Sequence, residues 1–113
     1  MTKRLISALS MLAATALTAP LAHATSSVPS GTVTSIGLQP GSTFAIVNVS
    51  NATGSAPCGT LGNYSFDVST AQGKAILSTL EGAQLGGKRV GLGGSATCQA
   101  GAEALGIITV FTN

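Results

Sequence analysis

The chain has 113 residues, with five basic and three acidic side chains, one histidine, two cysteines, no tryptophan and a formal net charge of +2. Lys3, Arg4 and His23 all precede Thr25, so a chain starting there sets Lys74, Lys88 and Arg89 against Asp67, Glu81 and Glu103 and is formally neutral. Neutrality excludes the electrostatic grip of nucleic-acid and anionic-membrane binders, and a histidine-free chain excludes Ser-His-Asp and Cys-His catalysis.

Residues 1–24 (MTKRLISALSMLAATALTAPLAHA) carry Lys3 and Arg4, an apolar run from Leu5 to Leu17, a helix-breaking Pro20 and the small-x-small triplet Ala22, His23, Ala24. This is the three-part layout of a secretory signal peptide, and it predicts cleavage after Ala24. The apolar run is shorter than the roughly 18 residues that cross a bilayer, so the processed chain is expected to be secreted or periplasmic with no membrane contact. Removing 24 of the 113 residues leaves 89, room for one small domain. Cys58 and Cys98 both fall in the exported part and read as one disulfide in an oxidising compartment. Closing a loop of about 40 residues stabilises a fold by about 4 kcal/mol in the chain-entropy account. Two cysteines without histidine make no usual zinc site and no C-x-x-C redox pair, so neither a metal nor a cofactor is expected.

In chain order, Thr25–Ser30 is small and polar and reads as a flexible leader into a domain spanning residues 31–113. Gly31–Leu38 is rich in Thr, Val and Ile and reads as a first strand, with Gly37 a candidate bulge. Gln39, Pro40 and Gly41 form a turn. Ser42–Ser50 returns as a strand that is apolar on both faces and therefore central. Asn51–Asn63 is the longest irregular stretch and holds Cys58. Tyr64, Phe66 and Val68 then alternate with Ser65 and Asp67, the period of a half-buried strand.

The next element is a helix over residues 70–85. Ser69 or Thr70 is its N-cap, with Gln72 in the capping-box position after Ser69, and Asp67 is a carboxylate that helps the cap. Ile76, Leu77, Leu80 and Ala83 share one face, while Gln72, Lys74, Ser78 and Glu81 point elsewhere. Gly86 and Gly87 end the helix, and Lys88 and Arg89 place positive charge beyond its C-terminus. Arg89–Cys98 is a fourth strand that loosens at Gly93 and Gly94, Gln99–Ala104 a connecting loop, and Leu105–Thr112 a fifth strand. The order β-β-β-α-β-β is that of a small five-stranded Greek-key barrel, the OB-fold; a two-layer α+β sandwich has the same elements.

The segment YSFDVSTAQGKAILSTLEGAQLGGKRVGLGGSATC, Tyr64–Cys98, resembles a group of small exported bacterial proteins of mostly unknown function. They share an aromatic strand ending in Asp, a helix with Gly-Lys-Ala near its start, a Gly-Lys before the next strand and a cysteine after it. The layout is also similar to the OB-fold B subunits of subtilase-type toxins, which bind glycans as pentamers. That second resemblance implies a binding function and a homo-oligomer; none of those subunits' sugar-contacting residues matches a position here.

Catalytic chemistry finds little to build on. Paired-carboxylate catalysis needs two acids in one cleft, whereas Asp67 reads as a cap, Glu81 as a wet helix-face residue and Glu103 as a loop residue with no visible partner. Gly91, Gly93 and Gly94 lack phosphate-loop spacing before a helix and mark a twisted strand end. Asn48, Asn51 and Asn63 each begin an N-x-[ST] triplet, which a chain rich in Ser and Thr produces by chance. The expectation is a noncatalytic binding module for a glycan or protein. Its rim combines the Asn51–Asn63 loop, the Gln39–Gly41 turn and the Gly93–Ala104 loop, with Asn63, Tyr64 and Lys74 as candidate ligand contacts. A small secreted enzyme inhibitor acting through a loop, or another envelope protein of unknown role, is the alternative.

Overall fold

The structure, a computed structural model, describes residues 24–112. The expected signal peptide, apart from Ala24, lies outside the described residues. The elements are β1 (Ser26–Leu38), β2 (Phe44–Val49), β3 (Thr53–Gly54), β4 (Asn63–Asp67), α1 (Ala71–Gly86), β5 (Arg89–Gln99) and β6 (Ala102–Val110). The described residues are thus mainly β with one helix. Its strands form one mixed sheet in the order β2-β4-β6-β5-β1-β3, and a further β1–β2 pairing makes the hydrogen bonding ring-like. Every pairing is antiparallel except β4 with β6.

The ring depends on β1 serving two partners. Its second half, Val33–Leu38, pairs with β2, and its first half, Ser27–Thr32, pairs with β5. The strand changes partner through irregularities between Val28 and Gly31 and between Val33 and Ser35. Pro29 falls in the first, where a residue without an N–H is tolerated. Gly31 comes soon after it because a Cβ there would overlap the Ser50 carbonyl.

Three stretches differ from the reading of the sequence. Residues Ser26–Ser30, expected to be a flexible leader, are the start of β1, with Ser26 and Val28 buried. A sixth strand, β3, comes from within the Asn51–Asn63 stretch and pairs with Ser26 and Ser27. The expected Gln99–Ala104 loop is only a two-residue turn: Gln99 pairs with Ala102, and Ala100 and Gly101 both take positive φ, 54° and 82°. That hairpin geometry needs two left-handed residues, and Ala-Gly supplies it without the usual Asn-Gly signal.

Val28, Val33, Ala45, Val47, Val49, Tyr64, Phe66, Val90 and Leu92 point inward from the sheet and meet Leu80 and Ala83 of α1, with Ile76 and Leu77 partly buried at the edge. Thr70 is the N-cap: its hydroxyl accepts from Gly73 N at 2.9 Å and donates to the Asp67 carbonyl at 3.0 Å. Ser69 instead donates to Asp67 from both N, at 2.9 Å, and Oγ, at 2.7 Å, so the Asp67 carboxylate holds the residue before the cap. At the other end Gly86 is the last helical residue. Gly87, with φ of 64°, turns the chain so that the Lys88 N–H reaches the Ala83 carbonyl at 2.9 Å.

Cys58 and Cys98 are disulfide-bonded, with Cα atoms 6.2 Å apart and a sequence separation of 40. The bond ties the Asn51–Asn63 segment to the end of β5. Among the described residues no helix is long and apolar enough to cross a membrane.

Candidate functional site

The pairing register separates the loops that the sequence reading gathered into one rim. Leu38 pairs with Ala45 and Val33 with Val49, so the Gln39–Gly41 turn closes one end of the β1–β2 hairpin while residues after Val49 leave from the other. The Asn51–Asn63 segment does meet the β5–β6 turn: the disulfide joins them, and a Cβ on Gly59 would overlap the Gly101 carbonyl.

Tyr64, expected as the phenol of that rim, is 0% exposed. Position 64 of β4 faces the interior, where its hydroxyl lies 2.8 Å from Ser26 Oγ. Ser26 Oγ in turn donates to Glu103 Oε1 at 2.6 Å, and Ser26 N approaches the same oxygen at 3.2 Å. Because Ser26 spends its proton on Glu103, the Tyr64 O–H donates to Ser26. Glu103 Oε2 accepts from Thr25 Oγ1 at 3.1 Å and from Ala96 N at 3.0 Å. Glu103, read from sequence as a loop residue without a partner, is therefore a fully buried residue of β6 that accepts four hydrogen bonds.

The chain is shaped to receive this carboxyl group. Gly94 lies against it, and a Cβ there would overlap the carboxylate. The register shift between Gly94 and Cys98 lifts Ala96 out of the β5–β6 ladder at a φ of 67°, which aims its N–H at Oε2. Burial raises the Tyr64 pKa above 10.0, and the charge of Glu103 adds to the rise.

The remaining candidates are dispersed. Asn63 is half-buried and donates its N–H to the Thr60 carbonyl at 3.1 Å, while Lys74 is exposed on α1. Asp67 is half-buried, and its pKa is lowered chiefly by the Ser69 hydroxyl and N–H, with a smaller contribution from the Thr43 hydroxyl. Its carboxylate holds Ser69, the residue before the Thr70 cap.

A surface groove of about 500 Å³, with room for a ligand, lies between the start of α1, the end of β4 and the middle of β6. It exists because β4 and β6 pair over only two positions, Tyr64 with Glu103 and Ser65 with Ala104. Beyond them β4 enters the helix at Asp67. β6 continues along β5 with an extra residue, Gly106, that opposes no residue of β5 and bends the strand away. Phe66, Ile76, Leu105 and Ile108 supply apolar walls, Thr70, Gln72 and Gln99 supply hydroxyl and amide groups, and Asp67 is the one charged residue of the lining. Ile107, also in the lining, is 65% exposed. The sequence hinted at this site only through the Gly106 interruption of an apolar strand. Among the described residues no group of three or more His, Cys, Asp or Glu side chains is placed to hold a metal ion.

Compared with protein-family profiles, with curated proteins and with solved structures, the chain matches none.

Proposed function

We propose that this chain is an exported, noncatalytic binding module of OB-fold architecture that takes an extended protein segment into the groove beside β6. The ring β1-β2-β4-β6-β5 with a helix between β4 and β5 supports the OB-fold reading, since it joins five strands in a Greek-key order around one helical plug. β3 is then an accessory strand that fastens the start of β1. The disulfide supports export to the periplasm or beyond.

One observation carries the ligand class. From Leu105 to Val110, β6 pairs only with β5, so its other edge offers unclaimed backbone groups along a groove with both apolar and polar walls. An extended polypeptide satisfies both features at once, through main-chain hydrogen bonds and side chains set into the groove. A glycan fits less well, because the single tyrosine is buried and the groove has no exposed aromatic platform for a sugar ring. The likeness in layout to toxin B subunits supports the wider binding reading and leaves a homo-oligomer as part of the proposal.

A second reading, a secreted enzyme inhibitor, draws on the Pro57–Leu61 segment. It is pinned by Cys58 and presents Leu61, 42% exposed, on a tethered loop.

Peptide and glycan arrays probed with the exported protein, alongside size-exclusion chromatography, test these readings. Peptide signals lost in Ile107→Lys, with folding unchanged, are expected. Signals confined to glycans, or protease inhibition that Leu61→Ala abolishes and Ile107→Lys spares, would overturn the groove reading.

A further inference from the structure

Glu103 is buried with four partners that all donate: Thr25 Oγ1, Ser26 N, Ser26 Oγ and Ala96 N. A carboxyl group met only by donors is set up as an ionised acceptor, and a buried charge is costly without an opposite one. None of those four donors is a cation. Arg89, the basic residue bonded to β1, is engaged at Ser30 instead, with Nε 2.6 Å from Oγ and Nη2 3.3 Å from the carbonyl. Three of the four donors belong to Thr25 and Ser26, the first two residues after the expected cleavage point.

We infer that Glu103 is an ammonium-binding site whose ligand is the chain's own processed N-terminus, the α-amino group of Thr25. The inference rests on the export part of the proposed function and is independent of the groove. Hydrolysis of the Ala24–Thr25 peptide bond adds water across it, giving Ala24 a carboxylate and Thr25 an amine that takes up a proton at neutral pH. That nitrogen is bonded to the Cα of the residue whose hydroxyl already touches Glu103 Oε2. Before cleavage the position holds a neutral amide; after it, a full positive charge faces the buried carboxylate. Thr25 is exposed, so the ammonium keeps part of its hydration and offers its remaining protons inward. The Ser55 N–H bond to the Thr25 carbonyl, 3.1 Å, and the β1–β3 pairing hold the segment in place. The titratable groups facing it are Glu103 from β6 and, through Ser26, Tyr64 from β4; β3 and residues 95–97 of β5 carry none, and Cys98 is disulfide-bonded.

The site makes leader removal a stabilising event, so that the fold is fully set only after export. The test compares the exported protein, its N-terminus read by mass spectrometry, with the same protein acetylated at the Thr25 amine. At pH 6 the free form is expected to have at least a tenfold larger folding constant, equivalent to about 1.4 kcal/mol. An ammonium held by a carboxylate has a raised pKa in the folded state. The advantage is therefore complete below the ordinary α-amino range of about 7.7–8.0 and fades as pH rises through the folded value. Glu103→Gln should close the gap. Should that variant fail to fold, acylation of the Thr25 amine in the native protein at pH 7 is expected to run at least tenfold slower than in the unfolded chain. Equal stability of free and acetylated forms, equal acylation rates, or a mature chain beginning elsewhere than Thr25 would each overturn the inference. Failure to bind peptides would overturn only the groove reading.

Discussion

Glu103 shows how much one side chain can organise. Its carboxyl group connects β6 to the start of β1 and to the raised Ala96 of β5, and Ser26 extends the connection to Tyr64 on β4. Glu103→Gln puts an amide NH₂ where only donors arrive, and we expect a loss of about 1–3 kcal/mol in urea unfolding. Tyr64→Phe removes one hydrogen bond, worth about 1 kcal/mol at neutral pH. Because the Tyr64 pKa is raised on folding, its contribution is intact below the ordinary value of 10.0 and falls away as pH climbs through the folded one. The stability gap between wild type and Tyr64→Phe should therefore narrow above pH 10 in melts run across the alkaline range; a gap that stays constant would contradict the buried-phenol assignment. None of this was legible in sequence. Glu103 finds three of its four hydrogen bonds 77 and 78 positions away, and only its flanks, Ala102 and Ala104 before an apolar run, hinted that it belongs to a strand. Alternation puts Tyr64 on the right strand, but it does not say which face of a curved sheet is closed.

Among the elements, α1 was the most legible because its signals are local. The cap at Thr70, the apolar face through Leu80 and Ala83 and the exit at Gly87 lie within a few turns of one another. Its glycines nevertheless differ in kind. Gly82 has open space where a Cβ would go, whereas a Cβ on Gly73 would overlap the Asp67 carbonyl. Gly82→Ala should therefore stabilise the protein by about 0.5–1 kcal/mol through helix propensity. Gly73→Ala should destabilise it by about 1–3 kcal/mol through overpacking, despite the same gain in propensity. Thermal unfolding of the two variants would reverse that order only if α1 sat farther from β4. The strands were less legible at their ends. β3 exists because Ser26 and Ser27 need a partner, and the Ala100–Gly101 turn carries no strong turn dipeptide, so both were set by tertiary pairing.

At the scale of the molecule, a closed ring and a cystine hold one small core together while β4 and β6 part company to leave a groove. Replacing Cys58 and Cys98 by serine should lower stability by about 4 kcal/mol, measured by urea unfolding, because the bond closes a 40-residue separation. The loss should fall first on the Asn51–Asn63 segment, detectable as faster hydrogen exchange there. The pairing of cysteines was legible from their even count and the compartment the sequence led us to expect; the groove was not, because it arises from a two-position strand contact that no local pattern announces. The central functional claim is that an extended protein segment binds along β6 and leaves unchanged. It is tested most directly by titrating the best peptide from the array into isotope-labelled protein and following backbone amide shifts. We predict saturable shifts confined to residues 65–76 and 105–110, at least tenfold weaker binding in Ile107→Lys, and recovery of the peptide intact. Shifts centred on the Asn51–Asn63 loop, or a peptide recovered cleaved, would contradict the account.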